Sequence, residues 1–179
     1  MDANKRWLIA IILIGGVVVL GSYIWGIQAR PDAGQILWGG VPEKIRPFYT
    51  VNMFLAAAGY FLFTFFILFR LDPIKIKVSS RFGFGVFHGL YAAILIPSAL
   101  WLPLTFFAVE QSSRALLWMV RIILSMVGAA SLGLFLALLK VKPYQPGWAY
   151  RLAIAGSMFF CIQTVILDAI VWGAYFGNG

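Results

Sequence analysis

Polar and apolar positions sort this chain into five long hydrophobic stretches joined by short polar connectors. The stretches cover approximately residues 7–27, 50–69, 84–107, 115–139 and 149–175. Each runs to about 20 residues or more, which at 1.5 Å per residue crosses a hydrocarbon core of roughly 30 Å as a helix. In such a core every backbone N–H and C=O must find a partner inside the chain, so these runs predict helices rather than open strands. They leave no room for a separate soluble domain. The expected fold is an all-α integral membrane protein, a single five-transmembrane-helix bundle over residues 1–179, with one long connection at 28–49. That connection, QARPDAGQILWGGVPEKIRPFY, carries turn residues at Pro31, Asp32, Gly39, Gly40 and Pro42, and its apolar ILW centre predicts that it packs over the helix ends. The other connections are short, which predicts that successive helices lie side by side and antiparallel. Pro97, inside the third stretch, predicts a kink there.

Composition agrees with the pattern: 62% of the 179 residues are hydrophobic and 11% charged, against about 25% charged in soluble domains. Lys5 and Arg6 ahead of WLIAIILIGGVVVLGS have the order of a secretory signal, but the apolar run exceeds the usual core of about 7–15 residues, so it reads as a retained helix. The net charge of +8 changes the picture less than its distribution does. With five spans, Lys5, Arg6, Arg70, Lys75, Lys77, Arg81, Lys140, Lys142 and Arg151 share one face, while Arg30, Lys44, Arg46 and Arg114 share the other. This bias predicts a cytoplasmic N-terminus and an exterior C-terminus. It also assigns the cations to topology and anionic lipid contact, with no nucleic-acid partner.

Several chemistries lack their residues. A single cysteine, Cys161, allows no internal disulfide or dithiol motif. A single histidine, His88, allows no bis-histidine haem within one chain. No metal-ligand spacing, nucleotide-binding glycine pattern or nucleophile–base–orienter set is present, so catalytic residues are not expected.

The candidate chemistry lies in a few polar residues within the spans. Asp168 sits in IQTVILDAIVW, about eight residues from the outer end of the fifth span, or roughly 12 Å deep. Arg121 lies about seven residues into the fourth span from the same side. An intramembrane charge normally faces the bundle interior and finds a partner, so the two are expected to pair. At α-helical spacing Cys161, Thr164, Asp168 and Trp172 share a face, as do Trp118, Arg121, Ser125 and Gly128, and approximately Tyr91, Ser98, Trp101 and Thr105. Trp25, Trp38, Trp101, Trp118 and Trp172 fall in the outer half or its loop. This arrangement predicts an aromatic, sparsely polar pocket for a flat amphipathic ligand. A plain aromatic belt at the interface gives the same tryptophan distribution. Gly15, Gly16, Ala56 and Gly59 are expected at close helix contacts.

Short segments resemble the TspO/translocator protein family, also called the peripheral benzodiazepine receptor family. ALWLPLTFF at 99–107 is similar to its third-helix Leu-Trp-x-Pro-x-Phe-Phe, matching Trp101 and Pro103. LDAIVW at 167–172 is similar to its last-helix Leu-Asn-x-x-Val-Trp, matching Trp172 and placing Asp168 on the Asn. AAAGYFLF at 56–63 and Trp38 with GGVPEKIRP resemble its second helix and the loop over its cavity. Ser98 stands where the family has Asn, and Phe160 where it has Trp. The resemblance implies a TspO-like fold, a possible bound tetrapyrrole such as haem or protoporphyrin, or a sterol-like lipid, and a tendency to form a homodimer. On this reading the protein is a membrane receptor or carrier, with ligand contacts from Trp38, Ser98, Trp101, Trp118, Arg121, Asp168 and Trp172. The alternative is a structural or assembly subunit of a larger membrane complex with no ligand of its own. A proton-coupled transporter using Asp168 is a third.

Overall fold

The computed structural model of the protein describes residues 2–79, 82–143 and 147–176; Arg81, assigned above to the N-terminal face, lies outside them. Five helices are long and apolar enough to cross a membrane, and they cover the predicted stretches with ends shifted by up to two turns. Helix α1 (Ala3–Ala29) begins at Asp2, whose carboxylate accepts the Asn4 N–H at 2.8 Å and satisfies one of the donors that a helix start leaves unpaired. A short α2 (Ala33–Trp38) follows within the long connection. Helix α3 (Arg46–Phe65), with Pro47 in its first turn where no N–H is needed, continues as a π-helical turn over Phe66–Arg70. Helix α4 (Gly85–Glu110) runs unbroken through Pro97 and Pro103. A proline removes one N–H donor and leaves the rest of the ladder in place, so the helix continues past both. Helix α5 (Arg114–Leu139) is capped by Ser113. The last span is α6 (Trp148–Cys161), a long π-helical segment over Ile162–Trp172, and α7 (Gly173–Tyr175).

Around the bundle the order is α1, α4, α5, α6, α3. Helices α3 and α4, expected as neighbours, make only sparse backbone contact, and so do α1 and α3. Their connections are long enough to carry the chain across the bundle, and the short-loop rule holds only for α4–α5 and α5–α6. Two strands, β1 (Lys77–Val78) and β2 (Val141–Lys142), pair antiparallel and tie the second and fourth interhelical loops together on the N-terminal face. His88 Nε2 lies 2.8 Å from the Asn4 carbonyl on the same face. At the opposite face Arg30 and Glu110 form an ion pair between the ends of α1 and α4.

Lipid is as apolar as leucine, so helices in a bilayer associate through close packing rather than through the hydrophobic effect. The tightest approach joins α3 to α6 at Gly59 and Gly156. A Cβ on either glycine would fall 2.7 Å from the other's Cα, so neither tolerates a side chain. Gly15 similarly sits against Leu95 of α4, while Gly16 faces open space. The main core lies toward the N-terminal face, with Phe63, Phe66, Phe87, Tyr91, Leu134 and Leu138 fully buried or nearly so. A smaller cluster of Val41, Val120, Leu124, Trp172 and Phe176 closes the other end.

Candidate functional site

The site forms in the half of the bundle away from the N-terminal face. Asp168 does not pair with Arg121. Its Oδ1 accepts hydrogen bonds from the Tyr49 hydroxyl of α3 and from Gln163 Nε2 at 2.9 Å. Gln163 Oε1 in turn accepts from Asn52 Nδ2 at 3.1 Å, and Asn52 also donates to the Phe159 carbonyl at 3.3 Å. Neutral donors therefore satisfy one oxygen of the carboxylate.

The π geometry explains why. In an α-helix residues i and i+5 point about 140° apart, whereas π winding, with its i→i+5 hydrogen bonds, brings them close to one face. Gln163 and Asp168 are five apart and meet. The same winding splits the face expected from α-helical spacing. Thr164 turns to α5, where its hydroxyl meets that of Ser131. Asp168 turns to α3, and Trp172 donates through Nε1 to the Leu37 carbonyl at 2.8 Å in the loop above.

Arg121 goes elsewhere for a reason of its own. Its Nη2 donates to the Phe176 carbonyl at 3.0 Å, and its guanidinium carbon lies 5.0 Å from the Trp118 ring centroid. The long side chain snorkels outward to a carbonyl at the end of the last span, where helical carbonyls lack donors and favour a cation. The short Asp168 cannot follow. Trp118, 60% exposed, lies on the outer surface of the bundle and does not line the site.

Aromatic rings from every other side complete the arrangement. Trp101 Nε1 donates to the Tyr23 hydroxyl of α1 at 2.9 Å, and Tyr23 stands within electrostatic range of Asp168. Trp101 also meets Trp172 edge-on at 6.0 Å, and Trp38 meets Tyr49 edge-on at 5.5 Å. Ser98 lies one turn before Trp101 on α4, half-buried and without a hydrogen bond. The connection closes over this group as its apolar centre predicts. Val41 is 1% exposed, and Arg46 donates to the Val41 carbonyl at 3.0 Å while lying over Trp38. Gly39 adopts φ +47°, a left-handed turn natural to glycine, and Phe176 presses so close that a Cβ would meet its ring at 2.5 Å. Phe176 stacks flat on Trp172 at 4.0 Å, leaving Trp172 4% exposed.

Of the predicted residues, the fold gathers Trp38, Trp101, Asp168 and Trp172, keeps Ser98 on the same helix one turn away, and turns Trp118 and Arg121 out. Sequence reasoning passed over Tyr23, Tyr49, Asn52 and Gln163. Polar residues inside apolar stretches were the available signal, but the i,i+5 relation of Gln163 to Asp168 has no meaning at α-helical spacing. Two surface recesses lie away from this group. One, about 490 Å³, is bordered by Asp2, Lys5 and Arg70, and the other, about 370 Å³, by Trp25, Arg30 and Glu110. Among the described residues no group of His, Cys, Asp or Glu is placed to hold a metal ion. Comparison with protein-family models, curated proteins and solved structures finds no match to this chain.

Proposed function

We propose that this protein is a membrane receptor or carrier for a flat, largely apolar ligand, held between the spans beneath α2. The observation that carries this reading is the convergence of Tyr23, Tyr49, Trp101 and Asp168 from four different spans under a loop helix pinned by Trp172. A packing device needs one polar pair. Here one carboxylate is met by a phenol and an amide, with a second phenol–indole pair beside it and indoles on two sides, which is the mixture of apolar walls and few convergent polar groups typical of ligand sites. The charge bias supports a cytoplasmic N-terminus, with the site in the exterior half.

The TspO-like segments supply the ligand classes. Arg121, which could have met a tetrapyrrole propionate, is committed to Phe176. A sterol-like lipid with a single hydroxyl suits the remaining acceptors better than protoporphyrin or haem. The test is titration of the purified protein with dehydroergosterol and, separately, protoporphyrin, following tryptophan emission. Saturable quenching by the sterol, weakened in Trp101→Phe, supports the reading, and no saturable quenching by either probe overturns it.

One observation favours an assembly subunit instead: Phe176 and the Gly39–Gly40 turn fill the space above Trp172. A stoichiometric companion protein retained in mild detergent, together with no sterol uptake, is the result that selects it.

A further inference from the structure

Asp168 carries a second oxygen that the network leaves unused. Oδ1 takes both hydrogen bonds, from Tyr49 and Gln163, and Oδ2 takes none. The buried side-chain oxygens and nitrogens without a partner reduce, among the described residues, to the Tyr60 hydroxyl. Asp168 Oδ2 is therefore not wholly enclosed by protein, and the residue is partly buried.

Among the described residues no cation answers it. The two that flank the site are spoken for, Arg46 by the Val41 carbonyl and the Trp38 ring and Arg121 by the Phe176 carbonyl and the Trp118 ring. An intramembrane carboxylate normally pairs with a cation, because burying the charge alone costs several kcal/mol. The neighbours of Asp168 are instead π systems: Tyr49 in direct contact, Tyr23 in electrostatic range, Trp172 one turn along, and Trp38 and Trp101 packed edge-on against Tyr49 and Trp172. Indole and phenol faces attract cations and repel anions, and rings around a carboxylate make the usual receptor for an ammonium group.

We infer that the missing counter-charge is the ligand's: the site selects an aromatic or polycyclic amphiphile bearing an ammonium group, with its nitrogen at Asp168 Oδ2 and its ring system among Trp38, Trp101 and Trp172. This rests on the ligand-site reading above and adds the sign of the ligand's charge. An amphiphile with a carboxylate meets an anion and the π faces that disfavour it, and is rejected.

Three pyrenes of matched size test the inference: 1-pyrenemethylamine, 1-pyrenemethanol and 1-pyreneacetic acid, titrated into the full-length protein in phosphatidylcholine nanodiscs. Energy transfer from tryptophan to pyrene reports occupancy, with empty nanodiscs as the partition control. The amine is expected to bind about tenfold more tightly than the acid, with the alcohol between them. Asp168→Asn should bring all three to within roughly twofold, and Asp168→Glu should keep the preference for the amine. An acid that binds as tightly as the amine, or a preference that survives Asp168→Asn, overturns the inference. If the alcohol binds saturably but the amine no better, the ligand site stands and only its charge selectivity falls. If none of the three binds saturably, both fall together.

Discussion

The two ends of the bundle solve the same problem in opposite ways. Toward the N-terminal face, aromatic rings fill the gap where α3 and α4 stand apart. Tyr60, Phe63, Tyr91 and Phe160 contact one another edge-on or tilted at 5.5–6.3 Å, and the Tyr91 and Thr64 hydroxyls meet at 2.7 Å. Toward the other end the helices are held by polar links and by a lid: Tyr49 to Asp168, Trp101 to Tyr23, Trp172 to Leu37. The first region is packed for stability, with its polar atoms almost all paired. The second keeps a carboxylate with one oxygen unbonded beside half-buried indoles, and its apolar cluster is smaller. A membrane bundle cannot use solvent exclusion to hold helices together, so the end held by polar links depends on the end held by packing.

The largest expected effect tests that dependence. Phe63→Ala empties the centre of the aromatic cluster and should lower stability by roughly 3–5 kcal/mol, measured as the shift in unfolding on titration with sodium dodecyl sulfate. A loss below about 1 kcal/mol would show that the cluster is not what holds the bundle. The next effect belongs to the other end. Trp172→Phe removes the Nε1 bond to Leu37 and should cost about 1 kcal/mol, expressed locally. Hydrogen exchange should quicken at residues 33–41 and stay unchanged at 63–71 and 87–95, so faster exchange throughout would erase the distinction between the two regions. The smallest runs the other way. Tyr60 Oη is buried without a partner, so Tyr60→Phe removes a desolvated hydroxyl from the packed end and should stabilise the protein by up to about 1 kcal/mol. A destabilised Tyr60→Phe would mean that this hydroxyl takes part in a polar function at the end assigned to packing alone.

The five spans, the packing of 28–49 over the helix ends and the candidacy of Trp101, Asp168 and Trp172, which the fold brings near one another, were legible in the sequence. Each depends on the summed polarity of a segment or on a residue type that is costly in its surroundings. The Asp168–Arg121 pair was not. Equal depth along adjacent spans does not fix rotation, and rotation decided the outcome. Arg121 is long enough to leave the bundle for the Phe176 carbonyl, and Trp118 rotates outward with it. On the last span the π segment Ile162–Trp172 altered the angular count on which the shared face of Cys161, Thr164, Asp168 and Trp172 relied.

Hydrophobic run length, a property of consecutive residues answering to a slab of fixed thickness, settled by sequence alone that this chain forms five helices able to cross a membrane. Which helices touch, and what Asp168 touches, was settled only in three dimensions. The glycine contact of α3 with α6 sets the spacing from which Tyr49 reaches the carboxylate, and π winding turns Asp168 toward it. Contacts between distant spans depend on angles and distances that no local pattern encodes.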